Sequence, residues 1–244
     1  MAIQRESRQQ YRRAPIVEAV VEFQYTSEID MRLIGKLAAR IAKRYKLDEV
    51  EHSLSTTVAF GKPAEHSKID IGRRLSSNDR RHSCHIRTGS LLFVELAPYE
   101  GWTTFQERIE RDFATLSSFD QFPVLKQIGM RYINRIDIHR GRFPDWKIPD
   151  FLNYSPSPVP QHFLQNVEYS ATPKRPFVIK MITATVVSPV PYSDALALDI
   201  DVIRNADLPA DVSGVISLLD QMRMVRNEIF EDSITDKARE IFSK

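Results

Sequence analysis

The fold is decided by residues 16–45, IVEAVVEFQYTSEIDMRLIGKLAARIAKRY, where the hydrophobic pattern changes from a period of two to a helical period. Alternate residues of the first ten are apolar on one side: Val17, Ala19, Val21 and Phe23. From residue 29 the apolar residues recur at the spacing of one helix face, and Ser27 is available as an N-cap: Ile29, Leu33, Leu37 and Ile41. The stretch therefore predicts a strand followed by an amphipathic helix.

Short strand patterns separated by turn residues follow this unit and predict an antiparallel meander. These patterns cover residues 56–60, 69–75, 83–87 and 91–97. A second amphipathic helix at about residues 102–116 and a strand at residues 127–139 come next. The order loosely resembles a ferredoxin-like split βαβ arrangement. The predicted class is α+β, with a largely antiparallel sheet, amphipathic helices and a long C-terminal helix.

The chain divides at a proline-rich connection, residues 143–161, where successive X-Pro steps favour extended backbone. Before it we expect a mobile basic arm at residues 1–14 and a first α+β half at residues 15–142. After it, residues 162–244 predict three strands and a long helix from about residue 212 to residue 230. Three strands need a partner sheet or a covering helix, so this second half is expected to dock on the first.

Composition narrows the class of protein and the types of partner. The chain has 244 residues, 42% hydrophobic and 27% charged, as expected of a globular protein. No apolar run approaches membrane-spanning length, and the single cysteine, Cys84, fits a reducing compartment, so we predict a cytoplasmic protein without a membrane partner. The net charge of +2 means that any nucleic-acid binding must come from a local patch. No cofactor motif and no metal site are predicted.

Acidic and basic residues alternate along three predicted strands. Glu18 and Glu22 share one strand face, and Asp199 and Asp201 share another. If these two strands were neighbours, their carboxylates could hold a divalent cation for phosphoryl chemistry. Arg131 and Arg135 form a complementary pattern, and we expect them to pair with these acids across the sheet rather than clamp an anionic ligand.

The sharpest local signal is a predicted hairpin with four arginines around its tip. Four nearby guanidinium groups repel each other unless an anion or carboxylates lie between them, so the tip suits phosphate, nucleic acid or an acidic partner. A charged, solvated turn is the alternative. The residues are Arg73, Arg74, Arg80 and Arg81.

Apolar residues near the C-terminus have two interpretations. The stripe along the long helix predicts core packing. Those that remain exposed could contact a partner or a second copy of the chain. The candidates are Phe230, Ile234, Ile241 and Phe242.

Three segments resemble a family of sporadically distributed bacterial proteins of about this length, for which no activity is assigned. The segments are YRRAPIVEAVVEF at residues 11–23, GMRYINRIDI at residues 129–138 and FEDSITDKAREIF at residues 230–242. A fourth stretch, LALDIDV at residues 196–202, also matches. The resemblance implies a bacterial protein carried on mobile or phage-defence loci, and it implies no catalytic residues.

The leading hypothesis is a non-enzymatic binding or regulatory component that acts through a protein partner or by self-association. The first alternative is a metal-dependent enzyme on phosphate-containing substrates. The second is RNA or DNA binding through the arginine-rich hairpin.

Overall fold

The structure is a computed structural model that describes residues 11–57, 60–61, 64–154, 160, 162–172 and 175–243. The strands are β1 (Ile16–Tyr25), β2 (Leu47–Thr57), β3 (Glu65–Ser76), β4 (His82–Arg87), β5 (Ser90–Leu96), β6 (Leu125–His139), β7 (Leu164–Thr172), β8 (Arg175–Val187) and β9 (Ser193–Arg204). The helices are α1 (Met31–Ile41), α2 (Trp102–Ser117), α3 (Val212–Ser233) and α4 (Asp236–Phe242). Two 3-10 turns cover Ala42–Arg44 and Ile148–Asp150.

All nine strands join one antiparallel sheet, in the order β2-β3-β4-β5-β1-β6-β9-β8-β7. With the four helices, this confirms the predicted α+β class. The run β4-β5-β1-β6 with α1 and α2 has the ferredoxin-like order, and the hairpin β2-β3 extends it.

The segments on either side of residues 143–161 share this sheet. β6 pairs with β9 from Ile128 opposite Arg204 to His139 opposite Ser193. β7 and β8 then continue the sheet beyond β9. The division into two halves stays a prediction, and residues 155–159 and 161 of the connection lie outside the described residues.

The helices pack on one face of the sheet. On that face Ala19, Val21 and Phe23 of β1 are fully buried, and Phe23 stacks on Phe113 of α2 with ring centroids 4.7 Å apart. Residues of α3 reach the same face, since Arg226 lies over the ring of Tyr132 in β6. Within the described chain, no helix packs on the opposite face, which we call the open face.

The start of α1 corrects the predicted N-cap. Asp30, not Ser27, precedes the helix, and its Oδ1 accepts a hydrogen bond from the Leu33 N–H at 2.7 Å. A capping carboxylate directly before the first helical residue is better placed than the earlier serine. α4 is capped in the same way by Thr235.

The sequence suggested four C-terminal residues as an exposed contact for a partner, and three of them are buried. Phe230, Ile234 and Phe242 are buried within the chain, because α4 folds back against α3 and the chain around Leu152. Ile241 is half-buried. The exposed apolar remainder that the sequence suggested is therefore mostly core.

The same cluster holds the start of the described chain. The Tyr11 hydroxyl donates to Glu231 at 2.9 Å, and its ring packs edge-on against Phe242. Arg13 N–H donates to the carbonyl of Phe242 at 3.1 Å. Tyr11 and Arg13, which fall within the predicted arm at residues 1–14, are thus held against the C-terminal helices, while residues 1–10 lie outside the described residues. No described helix is both long and apolar enough to cross a bilayer.

Candidate functional site

A groove of about 410 Å³ lies on the open face and extends across the sheet from β3 to β9. Its floor is apolar and comes from β1 and β5: Val20, Leu92, Val94 and Leu96. Charged side chains of both signs surround this floor. We call this concavity the open groove.

The acidic side of the open groove is built by strand register. Glu22 of β1 lies opposite Gly129 of β6. On the other side of β6, Asp201 of β9 lies opposite Arg131. Glu18, Glu22 and Asp201 all line the groove. The sequence predicted that the two acids of each strand share a face, and it made a common cation site conditional on β1 and β9 being neighbours. The structure places β6 between these two strands.

Gly129 leaves room between these carboxylates. A Cβ built at Gly129 would lie 3.5 Å from Asp201 Oδ1, an ordinary contact. A glycine inside a central strand loses packing and often marks a place where another group approaches the backbone. Gly129 therefore forms an open part of the groove next to Glu22 and Asp201.

Arg131 pairs with one of the two aspartates of β9, as the sequence suggested. Its Nε and Nη2 donate to Asp199 at 2.9 and 2.6 Å, and Asp199 is only 8% exposed. Arg135 behaves differently, because its Nε donates to Asp137 of its own strand at 3.0 Å. Of the two arginines, Arg131 forms an ion pair with an acid of a neighbouring strand, and Arg135 pairs within its own strand.

Asp201 has no such partner. Burial raises its pKa to about 6, with Asp199 and Glu22 adding to the rise and Arg131 and Lys180 opposing it. Among the described residues, no side chain forms a hydrogen bond or ion pair with its carboxylate. Asp201 is thus a partly buried acid that faces an open groove without a neutralising contact.

The basic side of the groove depends on Glu51, which the sequence analysis did not single out. Arg87 Nε donates to Glu51 Oε2 at 3.0 Å, and His85 Nδ1 lies 2.8 Å from Glu51 Oε1. Burial acts to raise the pKa of Glu51, but the hydrogen bonds and charges of His85 and Arg87 outweigh it and lower the pKa to about 2. No local motif signals this contact, because Glu51 lies two strands away from Arg87.

Ser83, His85 and Glu51 form a series of hydrogen bonds. Ser83 Oγ lies 2.9 Å from His85 Nε2, so the imidazole bridges the hydroxyl and the carboxylate. A nucleophilic serine needs this kind of series and an exposed oxygen, whereas Ser83 is 1% exposed and Glu51 is shared with Arg87. We interpret the series as support for the groove wall.

Three of the four arginines around the hairpin tip form ion pairs with carboxylates. Arg73 pairs with Asp48, Arg80 with Glu49, and Arg81 with Asp79 and Glu100. Arg74 differs, because its Nε donates to Ser76 Oγ at 3.2 Å and its side chain lines the open groove. The tip does not present four free guanidinium groups.

One group of side chains on the helix-covered face has metal-ligand chemistry. Potential ligand atoms of His82, Glu95 and Glu100 lie within 4.8 Å of one another. Arg108 approaches Glu95 at 3.3 Å and Arg81 approaches Glu100 at 3.4 Å. Both carboxylates already have a cationic partner, so we do not assign a metal to this group.

Comparison with known proteins gives little further information. No family model matches the chain, and no curated protein matches it, which is consistent with the resemblance described above. Among solved structures, the di-domain ARO/CYC StfQ from the steffimycin biosynthetic pathway is similar to 93% of this chain and 98% of its own, with 10% identity and a TM-score of 0.21. A likeness this weak supports no inference about fold or function.

Proposed function

We propose that this protein is a non-enzymatic binding component that holds a segment of a partner protein in the open groove. The observation that carries the proposal is the pairing of an apolar floor with three carboxylates, Glu18, Glu22 and Asp201, that have no ion pair among the described residues. The floor suits the aliphatic part of a side chain, and the carboxylates suit its cationic end.

The partner segment is expected to be basic at its centre. A lysine or arginine stem lies on Val20 and Val94, while its charge lies beside Glu22 and Asp201. Arg74 at the other side of the groove favours an acidic residue in the same segment. This complementary pattern orients the segment across the strands.

Copurification tests the proposal. The tagged full-length chain is purified from its host, and bound proteins are identified by mass spectrometry. The purification is repeated with Glu22→Lys, Asp201→Lys and a matched reversal on the exposed surface of α2, Glu107→Lys. A stoichiometric protein partner retained by the wild type and by Glu107→Lys, but lost from both groove variants, supports the proposal.

A partner that stays bound to both groove variants argues against the open groove. Gly129→Ala tests the groove without a charge reversal, in case Glu22→Lys and Asp201→Lys do not fold. Its methyl group enters the groove at an ordinary contact distance from Asp201. This variant is expected to fold as the wild type does and to bind the partner at least about tenfold more weakly. Raising the salt from 0.1 to 1 M is expected to weaken binding further.

The first alternative is a metal-dependent enzyme that uses the same carboxylates. Asp201 favours it, since an unpaired acid beside Glu22 suits a divalent cation. Asp199 argues against it, because Arg131 already occupies its carboxylate. A rise in melting temperature with Mg²⁺ or Mn²⁺ that Asp201→Asn abolishes would favour the enzyme over the binding component.

The second alternative, nucleic-acid binding, depends on the arginine-rich hairpin. Its supporting feature is Arg74, which has no carboxylate partner within the described part of the chain. Copurified RNA or DNA that is released by salt, and lost when the four arginines are replaced by alanine, would favour this alternative.

A further inference from the structure

Arg226 of α3 is a buried cation that forms no ion pair with any residue the structure describes. The residue is 7% exposed, and its guanidinium carbon lies 3.8 Å from the centroid of the Tyr132 ring. Its Nε is buried and has no hydrogen-bond partner. Stacking on a ring stabilises a guanidinium group, but it does not neutralise the charge.

A second guanidinium group one helical turn away adds to this charge. Arg223 lies three residues before Arg226 on α3, and its Nε is also buried without a hydrogen-bond partner. Burial lowers the pKa of Arg226, and Arg223 lowers it further, while the Tyr132 and Tyr99 hydroxyls raise it. Within the described chain, neither arginine makes an ion pair.

The carboxylates nearby are occupied by other donors. Asp220 accepts a hydrogen bond from Trp102 Nε1 at 2.8 Å. Glu95 accepts from the Glu100 N–H at 2.7 Å and from Arg108 at 3.3 Å. Neither acid forms an ion pair with Arg223 or Arg226 among the described residues, so the two α3 arginines keep their guanidinium groups free of a direct carboxylate contact.

Further hydrogen-bond donors converge on the same junction of α2 and α3. The Tyr99 and Tyr132 hydroxyl oxygens lie 3.0 Å apart, and one hydrogen forms that bond while the other stays available to an acceptor. Arg223 lies over Trp102, the first residue of α2, at 5.7 Å from the ring centroid. The first residue of α2 contacts α3 through this ring and through its Nε1, and the N-cap Gly101 supplies no side-chain cap, so the uncapped N-terminus of α2 lies next to α3.

We propose that Arg223 and Arg226 form a binding site for a phosphate-bearing small ligand at the α2–α3 junction. Guanidinium groups donate in a fork that matches phosphate oxygens, and the free tyrosine hydroxyl adds a neutral donor. Arg223 is half-buried and Arg226 is buried, so the proposed ligand would approach from the Arg223 side, with Arg226 beneath it. The site lies on the helix-covered face of β6, opposite the open groove, and does not depend on the function proposed for that groove.

Inorganic phosphate is the probe for this site. The melting temperature of the full chain is measured in a buffer that contains no phosphate, before and after inorganic phosphate is added. Sodium chloride added to the same ionic strength is the salt control. The variants are Arg226→Met and Arg223→Met, and the matched control is Arg32→Met on the exposed side of α1. Titration calorimetry with phosphate gives the dissociation constant for each.

The wild type and Arg32→Met are expected to melt at a higher temperature in phosphate than in chloride, and both α3 variants are expected to lose this difference. Affinity for phosphate is expected to fall at least about tenfold in each α3 variant. Without phosphate, Arg226→Met is expected to melt no lower than the wild type, because it removes an uncompensated charge.

Three results would overturn the site: equal shifts in phosphate and chloride, no heat of phosphate binding to the wild type, or a phosphate shift that persists in Arg226→Met. If Arg226→Met does not fold, Arg223→Met decides in the same measurements. Its side chain is half-buried, so its loss disturbs the core less.

Discussion

Glu51 and Arg87 form an ion pair across an intervening strand, with Glu51 Oε2 3.0 Å from Arg87 Nε. Gly72 of β3 lies opposite both residues, so it is positioned between them in the sheet. A side chain at position 72 would occupy the space through which the Glu51 carboxylate reaches Arg87 and His85. A residue on the edge strand β2 thereby holds two side chains that line the open groove, Arg87 and His85.

Replacing Glu51 by glutamine tests this contact as a source of stability. The folded pKa of Glu51, about 2, lies below its ordinary value of 4.5, so its contribution is present above pH 4.5 and is lost as the pH falls through 2. Glu51→Gln is expected to lower the free energy of unfolding by about 2–3 kcal/mol at pH 7. Denaturant unfolding at several pH values measures this difference, which should shrink progressively as the pH falls from 4.5 to 2. An equal loss at pH 7 and at pH 2 would show that the ion pair is not the cause.

Gly72 and Gly129 provide a matched pair of substitutions in neighbouring parts of one sheet. A Cβ at Gly72 would lie 2.5 Å from the backbone oxygen of Ile86, so the strands must shift, whereas a Cβ at Gly129 meets only Asp201 Oδ1 at 3.5 Å. Gly72→Ala is expected to destabilise the fold by about 1–3 kcal/mol. Gly129→Ala is expected to be neutral or slightly stabilising, because alanine is less flexible than glycine in the unfolded chain. Equal losses in both variants, measured by chemical unfolding, would contradict the close approach at Gly72.

Asp201 predicts a pH dependence of the opposite sign. Its folded pKa, about 6, lies above its ordinary value of 3.8, so its stability contribution is complete below pH 3.8 and is lost as the pH rises through 6. Asp201→Asn is expected to be more stable than the wild type by about 2 kcal/mol at pH 8, and equal to it at pH 3. Thermal unfolding across this range provides the measurement. A variant less stable than the wild type at pH 8 would mean that Asp201 has a stabilising partner.

Arg131 and Asp199 are expected to be coupled. Removing Arg131 alone leaves the Asp199 carboxylate, 8% exposed, without its cation, so Arg131→Ala is expected to cost about 3 kcal/mol at pH 7. The double variant Arg131→Ala with Asp199→Ala should cost less than the sum of the single variants, with a coupling energy of about 1–3 kcal/mol. A cycle with Arg135→Ala and Asp199→Ala is the control, since Arg135 bonds to Asp137 instead. Additive losses in the first cycle would argue against the pair.

The chemical character of each strand face follows from the sequence. A period of two assigns Glu18 and Glu22 to the face opposite Ala19, Val21 and Phe23, because successive side chains in a strand point to opposite sides. The structure has this arrangement, with the three apolar residues buried under the helices and the two acids in the groove. The helical pattern of residues 29–41 likewise predicts α1, although its first residue depends on the cap at Asp30.

Strand order, however, was decided only by tertiary structure. The pattern within a strand does not say which strand lies beside it, because neighbours are chosen by long-range packing and pairing. The structure places β6 between β1 and β9, so Arg131 pairs with Asp199, and Asp201 has no ion pair with any described residue. The tertiary structure also decided that Glu51 pairs with Arg87. It likewise decided that Arg226 is buried over Tyr132, which depends on where α3 crosses the sheet. The sequence by itself determined which side chains share a face, since that is a property of local backbone geometry, and only the folded sheet decided which of their charges are neutralised.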